Sequence, residues 1–147
     1  MEVKFKKTHE DAKLPTKNHS NSLTGDAGFD LFAVESIQIP ARGSKVVSVG
    51  LQLAGITPGF WFRIEPRSGL GFKKSLQPHL GVIDNGYRGD LGIKVYNFSD
   101  TSQVIEKGTG VAQMIVYPMM VVETSFIDEV EEGERGEKGF GSSDASN

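Results

Sequence analysis

Short apolar runs, broken every few residues by glycine or proline, fill most of this chain and limit what it can fold into. Leu31-Phe32-Ala33-Val34, Ser36-Ile37-Gln38-Ile39, Lys45 to Val49, Phe60 to Ile64, Gly92 to Tyr96, Val111 to Val116 and Val121-Val122-Glu123 are of strand length and mostly β-branched. Pro40, Gly43, Gly55, Pro58-Gly59, Gly108 and Pro118 separate them. Many short strands with turn signals between them predict an all-β sandwich or barrel. There is no convincing long helix. The best short one is Ser68 to Lys74, where Ser68 could cap the start and Lys73 and Lys74 suit the end of the helix dipole.

At 147 residues the chain is most simply one domain, long enough to bury a core without staples. It has no cysteine, which removes disulfides, thiolate zinc sites and Cys nucleophiles. His9, His19 and His79 match no metal-ligand spacing, and no Gly-x-Ser-x-Gly elbow supports a Ser-His-Asp triad. A net charge of −3 argues against a dedicated nucleic-acid binder. No apolar run is long enough to span a membrane. Met1 to Lys7 has positive charge but no apolar core behind it, so no secretion signal is expected. From Glu123 onward eight acids face Arg135 and Lys138, a charge of −6 that leaves +3 on the rest. A mildly basic body suits a phosphate-bearing small molecule.

Gly81 to Gly92 carries the densest information. A β-branched pair enters an Asn85-Gly86 turn, and Leu91, Ile93 and Val95 then alternate with Gly92, Lys94 and Tyr96. This pattern predicts a β-hairpin. Beside the turn stand an acid, Asp84, and an aromatic, Tyr87, among glycines that expose backbone. Together they could hold a small polar ring, or they could be a tight turn with a solvated Asp and a half-exposed Tyr.

Other segments have the same double character. Arg67-Ser68-Gly69 follows a strand, and a helix opening there would offer amides and a guanidinium to an anion. Gln113 is polar among apolar neighbours, so it bonds backbone, ligand or water, or else faces solvent. Asp30 lies inside the apolar run Ala27-Gly28-Phe29-Asp30-Leu31, where a carboxylate needs an ion-pair partner or a hydrated metal. An ion pair is the favoured reading. Beyond Ile127 the chain becomes acidic and then glycine-rich, which predicts a flexible tail. Yet Arg135, Phe140, Ser142 and Ser143 are residue types that grip phosphate and cover a ring. No Walker loop and no dinucleotide-binding glycine motif is present.

Taken in order, five segments resemble the motifs of the trimeric dUTPases, the deoxyuridine triphosphate nucleotidohydrolases. They are Ala27 to Leu31, Pro66-Arg67-Ser68-Gly69-Leu70, Gly81 to Gly92, Gly108 to Met114, and Arg135 to Ser143, reaching from about residue 24 to residue 143. The resemblance implies a jelly-roll-like β-barrel with one short helix and a flexible C-terminal arm. It divides the chain into a barrel of residues 1–127 and an arm of residues 128–147. It also implies a homotrimer whose active sites are shared between subunits, with the first, second and fourth motifs, the hairpin and the arm coming from different copies.

The implied reaction is attack of water on the α-phosphorus of dUTP, giving dUMP and pyrophosphate. Such an activity limits uracil incorporation into DNA and supplies dUMP for thymidylate synthesis. By similarity Asp84 bonds the deoxyribose 3′-hydroxyl and acts as general base, and Gln113 helps to position the water. Arg67, Ser68, Gly69, Gln113, Arg135, Ser142 and Ser143 are the implied phosphate contacts. Gly81, Ile83, Asp84, Tyr87, Gly92, Phe140 and Gly141 are the implied uracil and deoxyribose contacts. The expected cofactor is Mg²⁺, held mainly by the phosphates, with Asp30 acting through water or pairing with Arg67. The expected location is the cytoplasm, or a host's cytoplasm for a viral gene, with no nucleic-acid or membrane partner.

Backbone at Gly81 and Gly92 can match uracil and leave buried groups unpaired against cytosine, a mismatch worth roughly 10⁴-fold. Two departures stand out. Some members place a uracil-contacting Asn three residues before the hairpin Gly. Here that residue is Pro78, so the contact comes from backbone or the slot has another shape. The arm is also more charged than usual, with Glu137-Lys138 between its glycines and Asp144 after the serines. Two alternatives are a dCTP deaminase of the same fold, which needs a Glu on the slot wall, and a non-catalytic trimeric jelly roll.

Overall fold

A computed structural model describes residues 1–141. Its elements are β1 (Val3–Lys7), β2 (Phe29–Phe32), β3 (Ile37–Ile39), β4 (Ser44–Ile56), β5 (Phe60–Glu65), α1 (Ser68–Lys74), β6 (Leu76–Pro78), β7 (Gly81–Ile83), β8 (Asp90–Asn97), β9 (Gln103–Ile105) and β10 (Gly110–Pro118). One sheet has the order β1-β4-β8-β6, a second β2-β10-β5-β7, and β3 pairs with β9 alone. Every pairing is antiparallel. The architecture is all-β and jelly-roll-like, as expected. The sheets stay open and face each other, however, without closing into one hydrogen-bonded ring.

The core lies between the two larger sheets. Leu91, Ile93 and Val95 point inward from β8 while Asp90, Gly92 and Lys94 point out. This is the period-2 alternation of a strand with one face buried. Phe62 and Ile64 of β5 and Leu31 of β2 meet them from the other sheet. Each such side chain contributes about 1.5–3 kcal/mol on burial.

Asn97, at the end of β8, is the exception among these inward positions, being polar and 1% exposed. Its Nδ2 donates to the carbonyls of Ile39, Pro40 and Thr101 at 3.1, 3.2 and 2.9 Å, and its Oδ1 accepts from the Ser99 amide at 2.9 Å. It ties the end of β8 to the turn after β3.

Three local expectations are corrected. The arms of the Gly81–Gly92 segment form no hairpin ladder, because β7 joins β5 in one sheet and β8 joins β4 in the other. The segment is a crossing between sheets. The N-cap of α1 is Arg67, with no side-chain cap bond, and Ser68 is the first helical residue. Val121-Val122-Glu123 is not a strand within this chain; regular pairing ends at Pro118, and Val121 is almost fully exposed. A strand needs a partner edge, and this segment finds none in its own described chain.

Candidate active site

One end of the β2-β10-β5 sheet gathers the residues of three motifs. Cross-strand register sets Gln113 opposite Asp30 on one side and opposite Glu65 on the other. The chain leaves β5 through Pro66 and turns into α1, which brings Arg67 back over the same end. Arg67 Nε lies 2.9 Å from Asp30 Oδ1, and its Nη1 donates to the Gly110 carbonyl at 3.0 Å. The Asp30 side chain is 13% exposed, so an unpaired carboxylate there would be costly. The ion-pair reading of Asp30 is what the structure contains.

Gln113 donates from Nε2 to the Pro66 carbonyl at 2.9 Å and is half-buried, which fixes its carboxamide beside the α1 entry. The sequence left open whether this Gln faced solvent. Its partner is backbone.

The loop that leads into β2 is ordered by its own polar groups. Asn21 Oδ1 accepts from the amides of Leu23 and Thr24 at 2.9 and 3.0 Å, and Asp26 Oδ2 accepts from the His19 amide at 3.0 Å. That amide, followed by the His19 ring, holds the Asp26 carboxyl below its usual range.

The Gly81–Gly92 crossing builds a different feature. β7 is an edge strand paired only with β5, while Asp90 to Ile93 of β8 pair only with β4. The edge of β7 away from β5 and the Asp90–Ile93 edge of β8 away from β4 therefore each carry backbone with no ladder partner. Such edges can offer donors and acceptors to a planar polar ring. Tyr87 folds its ring back over Gly89, where a Cβ would lie 2.3 Å from the Tyr hydroxyl. That hydroxyl donates to the Asp90 carbonyl at 2.7 Å.

Asn85 was legible only as a turn residue. Its Nδ2 donates to the carbonyls of Phe60 and Thr57 at 2.9 and 3.0 Å, pinning the tip of the crossing to the β4–β5 turn. Arg88 closes the tip through the carbonyls of Tyr87 and Asn85, at 2.6 and 2.7 Å. Polar side chains beside a turn are the only sequence sign of such a tether, and they do not specify its far end.

The two features lie far apart within one chain. Gly81 pairs with Ile64 and Ile83 with Phe62, so Asp84 follows toward the Phe60 end of β5. Gln113 pairs with Glu65 at the opposite end. Four strand residues separate these levels, about 13 Å, and two strand spacings add about 10 Å sideways. Asp84 and Gln113 are thus about 16 Å apart by this strand geometry. Phe140 of the arm is fully exposed, and Arg135 donates to the Gly139 carbonyl within the arm itself. Ser142 and Ser143 lie outside the described residues.

Among the described residues no group of three His, Asp or Glu side chains is placed to hold a metal. The carboxylate nearest the phosphate-gripping residue types is Asp30, and it already faces Arg67. One carboxylate fits an ion that takes most of its oxygens from a polyphosphate and water, as Mg²⁺ commonly does. It does not fit a metal held by protein alone.

Comparison with known proteins shows the family. The dUTPase family pattern matches residues 11–144. This chain belongs to the dUTPase family. The rice deoxyuridine 5′-triphosphate nucleotidohydrolase is 38% identical over 95% of this chain and 79% of its own length. The Picosynechococcus protein of the same name is 36% identical over 97% of this chain and 98% of its own. Among solved structures, a mutant dUTPase of Staphylococcus bacteriophage 80alpha with dUpNHpp superposes with a TM-score of 0.85 at 29% identity. That match covers 97% of this chain and 98% of the phage dUTPase chain. Membership is thus carried by the whole β framework as well as by the motifs.

Proposed function

We propose that this chain hydrolyses dUTP to dUMP and pyrophosphate at sites shared between copies of a homotrimer. The observation that carries the reading is the division of labour within one chain. An anion-suited corner of Asp30, Arg67 and Gln113 stands at one end of a sheet, and the free edge of β7, which we read as one wall of a gap for the base, leads to Asp84 at the other. A general base must come within hydrogen-bond reach of its water, about 3 Å. We read a backbone separation near 16 Å as bridged when the gap of one copy meets the corner of another. Met119 to Ile127, carrying Met120, Val121, Val122 and Phe126 into solvent, supports association as well.

In this reading the uracil edge bonds backbone between β7 and β8, near Gly81, Ile83 and Gly92. Tyr87 lies under the deoxyribose and leaves no space for a 2′-hydroxyl. Asp84 accepts a hydrogen bond from the 3′-hydroxyl and takes a proton from the attacking water. The new bond forms at the α-phosphorus, and the bond to the bridging oxygen breaks as pyrophosphate leaves. Arg67, Ser68, Gly69 and Gln113 hold the phosphates in line, where a fixed guanidinium offsets growing charge. Mg²⁺, when bound through the phosphates with Asp30 beyond its water, neutralises phosphate charge. The arm, residues 128–147, closes from another copy, with Arg135, Ser142 and Ser143 on the distal phosphates and Phe140 and Gly141 over the uracil. Closure excludes water and strengthens each of these contacts. The cytoplasm, or a host's cytoplasm, is the proposed setting.

Pyrophosphate release from dUTP, dTTP, dCTP and UTP, measured side by side with Mg²⁺, tests this. Release from dUTP alone is expected. Equal release from all four would refute the uracil slot, and ammonia release from dCTP would make the chain a deaminase.

A further inference from the structure

The guanidinium of Arg67 packs against the backbone of β10 at Gly110. A Cβ built at Gly110 would stand 2.5 Å from Arg67 Nη1, 2.9 Å from Cζ and 3.3 Å from Nε. The φ of Gly110 is outside the left-handed region, so backbone conformation does not demand glycine there. Gly110 pairs with Phe32 of β2, two residues from Asp30, in a place where any side chain on that face would fill the guanidinium's seat. We infer that Gly110 is a positioning residue for hydrolysis. Its missing side chain lets Arg67 reach Asp30 and the Gly110 carbonyl together, and so aims the guanidinium at the phosphates.

Gly28 repeats the device just before the neighbouring strand β2. A Cβ there would lie 2.2 Å from Gln113 Oε1 and 2.9 Å from its Cδ. Gly28 also has an ordinary φ. Two phosphate-end side chains, one charged and one neutral, thus each rest where a Cβ is absent. At Gly110 the obstructed group is the far end of a flexible side chain, which can swing aside without disturbing the sheets; at Gly28 the Gln113 Cβ, at 3.1 Å, is crowded as well. An added methyl at Gly110 then leaves the β2–β10 pairing in place but costs both the Asp30 ion pair and the aim of the guanidinium.

This inference rests on the reading of Arg67 as a phosphate contact, and the experiment separates the two. Gly110→Ala, Arg67→Gln and the double variant are made in the full-length chain. Gln ends at about the depth of the Arg Nε and keeps a donor toward Asp30, which avoids leaving that carboxylate bare. Thermal unfolding, kcat and KM for dUTP, and affinity for dUpNHpp are measured for each. Gly110→Ala is expected to fold with a lowered unfolding midpoint, since Asp30 loses its ion-pair partner, and to lower kcat/KM on the order of ten- to a hundredfold, the scale of one charge-assisted contact.

In the Arg67→Gln background the same change is expected to do almost nothing, since the group it displaces is gone. A wild-type kcat/KM in Gly110→Ala, with Arg67→Gln impaired, would overturn the role of Gly110 alone. So would full additivity in the double variant. Normal hydrolysis by Arg67→Gln would overturn both this inference and the phosphate role of Arg67. Loss of folding in Gly110→Ala would overturn the claim that the guanidinium yields while the sheet holds. Gly110→Ser, which carries the same Cβ, should lower kcat/KM to the same degree as Gly110→Ala.

Discussion

Two inactive variants should restore each other if the site is shared. Asp84→Asn removes the proposed base and Arg67→Gln the proposed phosphate clamp. Neither alone should turn over dUTP appreciably. Strand register puts these residues at opposite ends of β5, and adding the strand spacing makes the gap between Asp84 and Gln113 about 16 Å. At that backbone separation the shared-site reading puts the water bonded to Asp84 against a phosphate held by another copy. In a cyclic trimer each site takes its corner from one copy and its gap from the next. When the two variants are co-expressed in equal amounts and assemble at random, about one site in four joins an intact corner to an intact gap. Activity per site should therefore rise from near background to about a quarter of the wild-type rate in the unfractionated mixture, and to about a third in assemblies purified for both variants, where every trimer holds one such site among its three. The assay is pyrophosphate release by doubly tagged, doubly purified mixed assemblies, with each variant alone as control. Mixed assemblies as inactive as their parents would mean that corner and gap meet within one chain, and the argument from register would fall. Free exchange of copies must be shown in the same preparation by recovery of both tags.

Asp84→Asn alone should bind dUpNHpp nearly as the wild type does while kcat drops by about 10²–10⁴, the usual range for losing a general base. Rapid-quench kinetics and calorimetric titration would check both halves, and near-normal kcat would remove Asp84 from that role. A chain ending at residue 133 should keep its oligomeric mass by sedimentation and lose most hydrolysis; dissociation would make the arm structural. Asn97→Leu should destabilise the fold by about 2–4 kcal/mol, since several carbonyls and the Ser99 amide lose a buried partner. Urea unfolding measures this, and a change under about 0.5 kcal/mol would show that water replaces the side chain.

Much of the framework is legible in the residues. Runs such as Leu91, Ile93 and Val95 alternate with period 2, and a strand with one wet face is the only element that satisfies such a pattern. The short helix at Ser68 to Lys74 is legible as well, because it follows a proline and ends in two basic residues. The candidate site residues are recognisable as types: an acid among apolar neighbours at Asp30, a Gln in a strand at Gln113, an acid and a Tyr beside glycines at Asp84 and Tyr87.

Which of these residues meet was beyond the sequence. Hydrophobic period tells each strand which face to bury but not which edge to join, since every backbone edge offers the same donors and acceptors. That is why Gly81 to Gly92 looked like a hairpin although its two arms enter different sheets. Val121 to Glu123 had strand composition but no partner edge within its own described chain, and composition cannot say where an edge is found. Asn85 looked like a turn former, and only the folded chain brings the Phe60 and Thr57 carbonyls within reach of its amide. Gly110 looked like punctuation before a strand, and only the placement of Arg67 above it explains the empty space. The sequence by itself determined the strands, their buried faces and the chemistry of the groups available. The tertiary structure decided their neighbours, because proximity between distant residues depends on sheet order and register, which local pattern does not encode.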